Sequence, residues 1–188
     1  ITMPNSNLSP DFVWLKARNA AYGHNLYDSI RGALNTLNTN GTFAAYNEAN
    51  SLTSFDSNGF TLGSSAGLNQ SGKTFAAWVW DGGSSTVSNT DGSITSNVRA
   101  QPSAGFSIIN HVGTNTGTGS ALTVGHGLNA APEFLIVKNR TSAASWFVYH
   151  KSIGATKYLK LETTSAEATG ALWNNTEPTS SVVSSSGA

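Results

Sequence analysis

The segment PDFVWLKAR, Pro10 to Arg18, is written again as PEFLIVKNR, Pro132 to Arg140, at an offset of 122 residues (132 − 10). At that constant offset Phe12 matches Phe134, Lys16 matches Lys138 and Arg18 matches Arg140. Without a gap, Tyr27 then falls on Tyr149, Gly32 on Gly154, Ala33 on Ala155 and Leu37 on Leu159. Further on, YNEANSLTS answers WNNTEPTSS with a few residues of slippage. Shared composition does not hold register over such a span, so the chain reads as two copies of one module.

The module is made of strands. DFVWLKA, NGFTLGS, KTFAAWVWD, GFSIINHVG, ALTVGHG, EFLIVKN, SWFVYHKS and TKYLKLET are short, rich in β-formers and bounded by Gly, Asn or Ser. Their spacing is that of sandwiches and barrels. Only NLYDSIRGALNTLN (25–38) carries helical spacing, through Leu26, Ile30, Ala33, Leu34 and Leu37. Its partner copy is β-rich, so it reads as two strands around a turn at Arg31–Gly32. The expected fold class is all-β, with two tandem related modules.

The two copies are out of phase with the ends of the sequence. The second opens with GFSIINHVGTNTGTGSALTVGHGLNAAP (105–132), whereas nine residues precede Pro10. The first closes with GFTLGSSAGLNQSGKTFAAWVWDGG (59–83), and no comparable closing strand follows VVSSSGA. The expected division is a first β module over 1–83 with its leading strands missing or short, a turn-rich linker or hairpin over 84–104, and a second module over 105–188. A module without its outer strand exposes an edge that invites pairing with another chain.

Charge narrows the partners. Ten basic and ten acidic residues give a net charge of zero. Duplex nucleic acid and anionic membrane surfaces both demand clustered Lys and Arg, so neither is an expected partner. The apolar runs FAAWVW and FLIV are too short to cross a membrane as a helix. ITMPNSNLSP has neither the basic nor the apolar stretch of a secretory signal. With no Cys, stability must come from the core, from a metal or from assembly.

Few residues suggest chemistry. The four His (24, 111, 126, 150) are scattered, with no two at metal-ligand spacing. Asp81, Asn89 and Asp91 could supply oxygens to a cation, but the EF-hand spacing is absent and Asp-Gly is ordinary turn chemistry. GLNQSGKT (67–74) satisfies the phosphate-loop pattern, yet the residues after it read as a strand rather than the helix such a loop must open. No Gly-x-Ser-x-Gly elbow occurs. No two carboxylates alternate along one apolar strand as a glycosidase cleft would favour. No metal, cofactor or catalytic residue is expected. The repeated cations Lys16/Arg18 and Lys138/Arg140 are solvated strand ends that guard against edge pairing.

The aromatic residues leave two readings open. Trp78 and Trp80 are two apart and share one face of a strand. Buried, they are core; exposed, they form a platform on which sugar rings stack. The same alternatives hold for Trp146, Tyr149 and Trp173. Trp78, Trp80, Trp146 and Tyr149 are the candidate glycan-stacking residues.

SPDFVWLKAR, SFDSNGFTLGSS, SGKTFAAWVWDGG, STVSNTDGSITSNVRAQPSAGFSII, TVGHGLNAAPEFLIVKNR, WFVYHKSIGATKYLKL and WNNTEPTSS together resemble a repeated domain of tailed-phage structural proteins, frequent in phages of marine bacteria and cyanobacteria. The resemblance implies β-sandwiches of the jelly-roll or concanavalin-like sort, a place in the virion, oligomeric assembly with copies of itself and other virion proteins, and no catalytic residues. The expected function is a non-enzymatic tail-fibre or appendage subunit adhering to host surface glycans. Its alternatives are a capsid decoration (cement) protein and, from a different class, a polysaccharide-degrading β-sandwich enzyme.

Overall fold

The computed structural model describes residues 1–3, 8–114 and 121–185. The described residues are all-β, in antiparallel sheets, with one four-residue α-helix and one 3-10 turn. They fall into two compact units: Ile1–Gly82 with Asn139–Ser145, and Gly83–Lys138 with Trp146–Ala188.

The first unit is built on β1 (Phe12–Ala17), β2 (His24–Asp28), β3 (Asn35–Asn38) and β4 (Tyr46–Asn47), an antiparallel meander. A hairpin follows, β5 (Leu52–Asp56) with β6 (Gly59–Leu62), then α1 (Ala66–Asn69) and β7 (Phe75–Trp80). β7 returns to pair with β1, giving the order β4-β3-β2-β1-β7. Alternation along β1 puts Val13 and Leu15 on the inner face. There they pack with Tyr27, Leu52, Phe60 and Leu68, all 2% exposed or less. The hairpin and α1 therefore form the second layer of this core.

Residues 25–38, whose spacing also suits a helix, form β2, a turn and β3. Two local features decide it. Gly32 takes a positive φ of 84°, a backbone state that interrupts a helix and that glycine adopts without strain. Arg31 ties the turn shut: its Nε meets Asp28 Oδ2 at 2.5 Å, and its guanidinium donates to the carbonyls of Asn35 and Leu26 at 2.8 and 3.1 Å.

The second unit contains β8 (Thr86–Asn89), β9 (Ser96–Gln101), the 3-10 turn Pro102–Ala104, β10 (Phe106–His111), β11 (Leu122–Gly125), β12 (Phe134–Lys138), β13 (Trp146–His150), β14 (Lys157–Lys160), β15 (Ala168–Thr169) and β16 (Val182–Ser185). They make sheets of order β10-β9-β8, β11-β16 and β12-β13-β14-β15. Of the linker and hairpin readings of 84–104, the structure has the hairpin. It carries β8 and β9, joined through an Asn89 side chain that accepts the Asp91 N–H at 3.0 Å. Its apolar content is low because three of the four β8 residues face solvent.

The 122-residue offset holds strand by strand. β2, β3 and β4 move onto β13, β14 and β15 residue for residue, and β1 onto β12. The cross-strand register moves with them: Phe12 opposite Asp28 becomes Phe134 opposite His150, Asn25 opposite Asn38 becomes Phe147 opposite Lys160, and Asn35 opposite Asn47 becomes Lys157 opposite Thr169. Gly154, at φ 76°, repeats the turn glycine.

Candidate functional site

β7 is the edge strand of the first sheet and has a chemically divided pair of faces. Val79 packs toward the core, so Trp78 and Trp80 project from the opposite side and stand 49% and 38% exposed. The register fixes their neighbours: Trp78 lies opposite Trp14, and Trp80 opposite Phe12. Phe12 and Trp80 meet edge-to-face at 5.3 Å, and Trp14 and Trp78 are tilted at 6.1 Å. Such ring pairs contribute about 0.5–1.5 kcal/mol beyond the area they bury. Phe12 and Trp14 thus hold the two exposed indoles in place from the neighbouring strand. The result is a row of large rings on a pleated surface, able to stack against the C–H face of a flat, polar ligand.

The other two candidates do not join it. Trp146 and Tyr149 are 3% and 2% exposed, so neither ring can receive a ligand, and both are withdrawn as stacking residues. Tyr149 belongs to a core with Ala155 and Trp173. It meets Trp173 edge-to-face at 5.8 Å, and its hydroxyl donates to Glu177. Trp173 is fixed in turn by its indole N–H, which donates to the Lys157 carbonyl at 3.0 Å.

The opposite face of the first sheet carries a feature that the sequence did not reveal. A cleft of about 310 Å³ is lined by Tyr22, Asn38, Asn40, Phe43, Tyr46 and Glu48, among others. Its polar wall is prearranged: Asn38 donates to Asn25 Oδ1 at 2.8 Å, and Asn40 accepts the His24 N–H at 2.8 Å. Phe43 is 64% exposed. Burial, then the nearby Glu48 carboxylate, raises the Tyr46 pKa, so its hydroxyl remains a donor. Amides, a phenol and exposed rings recur in sites for uncharged polar ligands. The lining residues come from positions 22 to 67, and no local pattern marks such a set.

The remaining candidates for chemistry are absorbed into structure. Asp11 accepts the Gly82 N–H, Asp28 pairs with Arg31, and Asp56 accepts from Ser54 and Thr61. Glu133 pairs with Lys151, Glu167 with Lys157, and Glu162 accepts the Trp146 N–H. Glu177 holds Tyr149 and the Ala155 N–H. Asn89 donates to Asp91 at 2.9 Å, so these two side chains serve their own turn. No group of three or more His, Cys, Asp or Glu among the described residues could hold a metal ion.

Residues 67–74 lead into β7 rather than into a helix, which removes the dipole and backbone donors that a phosphate loop requires. Lys16 turns to the carbonyls of Ala17 and Ala20 at 2.7 and 3.2 Å. No described helix is long and apolar enough to cross a membrane.

No curated protein and no solved structure matches the chain. A family model described as a domain of unknown function, DUF7483, matches residues 2–188. The chain belongs to the DUF7483 family.

Proposed function

We propose that this chain is a non-enzymatic structural protein of a phage virion, a tail-fibre or appendage subunit that adheres to carbohydrate on the host surface. The observation that carries the adhesive part is the exposed Trp78–Trp80 pair, braced by Phe12 and Trp14. Stacking on two indoles is weak in one subunit and becomes strong when copies are displayed together, so adhesion works by avidity in an oligomer. The placement in a virion rests on the resemblance of the chain's phrases to phage structural proteins. Each meander belongs, on this reading, to a β-sandwich module of the jelly-roll or concanavalin type. The hairpin and α1 laid over the first meander support that view.

The alternatives fit less well. A cement protein would have the Trp pair fully buried and a flat apolar patch elsewhere, whereas Trp78 and Trp80 stand 49% and 38% exposed. A polysaccharide-degrading enzyme needs two carboxylates facing one another across a cleft. Most carboxylates here are already tied to structural partners, and Glu48 is the one carboxylate lining the cleft described above.

The test is a glycan array probed with the protein displayed multivalently, beside its Trp78→Ala/Trp80→Ala variant. Binding to a defined set of glycans, lost in the variant, is the expected result. Wild-type and variant patterns that coincide would overturn the adhesive reading.

A further inference from the structure

The cleft of the first unit has a counterpart in the repeat. In the second unit a smaller hollow of about 200 Å³ is lined by Tyr158, Lys160, Ser165, Ala166 and Ala168. At the 122-residue offset Lys160, Ser165 and Ala168 stand where the first unit has Asn38, Phe43 and Tyr46. The meander therefore leaves a depression at this place in both units, and only the first lines it with amides and exposed rings. The register pair beneath it differs in the same way: Asn25 opposite Asn38 becomes Phe147 opposite Lys160. Asn25 is 6% exposed, and burying an amide carries a desolvation cost that an apolar ring does not. The second unit holds Phe147 at that position, packed edge-to-face on Tyr158 at 5.4 Å. The meander thus does not require the amide pair.

The groups of the first cleft are held in place by one another. Asn38 donates to Asn25 Oδ1 at 2.8 Å and hydrogen-bonds the Tyr46 hydroxyl. Gly23 lets the amides approach: a Cβ there would lie 3.1 Å from Asn40 Oδ1 and 3.3 Å from Asn38 Nδ2. Gly41 does the same for Phe43, since an added Cβ would come within 2.8 Å of its ring. That ring is backed by main chain, yet Phe43 remains 64% exposed. Glu48 lines the same cleft, and its carboxylate has no hydrogen bond or ion pair among the described residues. No Lys or Arg lines the cleft, so Glu48 makes it unfavourable for an anion. One carboxylate is also a poor donor set for a divalent cation.

We propose that this cleft binds one neutral sugar unit, with a C–H face of the pyranose on Phe43 and its hydroxyls on Asn38, Asn40, Tyr46 and Glu48. A hydroxyl both donates and accepts. Neighbouring hydroxyls therefore match amides, which offer an acceptor and two donors, and a carboxylate, which accepts. The volume of about 310 Å³ lies at the small end of ligand sites, about 300–1,000 Å³, and suits one ring rather than a long chain. The site shares no residue with the Trp78–Trp80 surface and does not depend on it.

The experiment titrates the intact, isotope-labelled chain with the methyl glycosides of glucose, galactose, mannose and N-acetylglucosamine, followed by heteronuclear NMR of backbone amides. At least one glycoside should shift Gly23, Asn38, Asn40, Phe43 and Gly67 saturably. The same shifts are expected in the Trp78→Ala/Trp80→Ala variant, so this site and the indole surface pass or fail separately. Gly67→Gln should abolish binding. A Cβ at Gly67 would meet Asn25 Nδ2 at 3.8 Å and Ser65 Oγ at 3.9 Å, both ordinary contacts. The longer side chain therefore fills the cleft without a clash, and glutamine suits α1 better than glycine. Phe43→Ala should weaken binding about tenfold, with circular dichroism unchanged because the ring is largely exposed.

Three results would overturn the proposal. One is no shift of the cleft residues up to about 50 mM of every glycoside. Another is sugar binding that survives Gly67→Gln, which would put the sugar elsewhere. The third is saturation of the same residues by tetramethylammonium and by none of the glycosides, which would make the occupant a cation held by the rings and Glu48.

Discussion

Tyr27 and Tyr149 occupy the same register position in the two meanders, yet their hydroxyls are held by unrelated partners. Tyr27 accepts the Thr36 hydroxyl at 3.1 Å, and both residues are 0% exposed. Tyr149 donates to Glu177. The ring position is set by the sheet, and each unit satisfies the buried oxygen with whatever its later sequence delivers. A buried hydroxyl without a partner costs about 1–3 kcal/mol, so neither arrangement is dispensable.

Tyr27→Phe leaves the Thr36 hydroxyl without its acceptor and should cost about 1–3 kcal/mol. Adding Thr36→Val removes the stranded donor, so the double variant should be more stable than Tyr27→Phe alone. Urea midpoints of the three proteins check this. A double variant less stable than Tyr27→Phe would show that the hydroxyl pair is not what the site requires.

Gly154→Ala tests the repeated turn. A Cβ there would meet Glu177 Oε1 at 3.5 Å, an ordinary contact, so space is not the obstacle. The positive φ of 76° is, and an L-residue there costs about 1–2 kcal/mol. Gly32→Ala should cost a similar amount, since its φ is 84°. Thermal midpoints lowered for both variants are expected; an unchanged midpoint would contradict the turn geometry.

His126 should make the protein acid-sensitive. Its ring is 0% exposed; Nδ1 accepts the Leu128 N–H at 3.2 Å, which leaves Nε2 to donate to the Thr179 carbonyl at 3.2 Å. Burial holds its pKa below 6.5, against the opposing pull of the Thr179 carbonyl and Asp91. The unfolded chain therefore takes up a proton that the folded chain resists. This contribution is fully present above 6.5 and is lost as pH falls through 6.5 toward the folded value. His126→Gln should flatten the acid side of the stability curve between about pH 7 and pH 5, leaving the slope due to His24, whose pKa burial and then Lys16 also lower. Denaturant midpoints across that range report it, and an unaltered slope would contradict the buried neutral ring.

Much of the fold was legible because its strands are written in β-formers. FVWLKA and FLIVK declare themselves, and the offset between them carried the reading of 25–38 from a helix to two strands. Linker and hairpin could not be separated at β8 because its TVSN faces solvent and uses the same residues as turns. The shared face of Trp78 and Trp80 follows from period two, but whether that face is covered depends on β5, β6 and α1 lying on the other side. Tyr149 could not be told from a surface ring because part of its cover, Trp173 and Glu177, comes from residues 24 and 28 positions away, and nothing local marks Trp146 as buried. The Asn-lined cleft has the same origin, being assembled from separated loops around β2, β3 and β4.

The central claim is that Trp78 and Trp80 form a sugar-stacking surface, and the five indole N–H signals of this protein test it directly. Heteronuclear NMR of the intact chain during titration with a panel of neutral oligosaccharides follows all five at once. The account predicts saturable shifts of Trp78 and Trp80, a smaller response at Trp14 behind them, and still signals at Trp146 and Trp173. Indole signals that stay in place with every sugar, or that move at Trp146 and Trp173 instead, would contradict it.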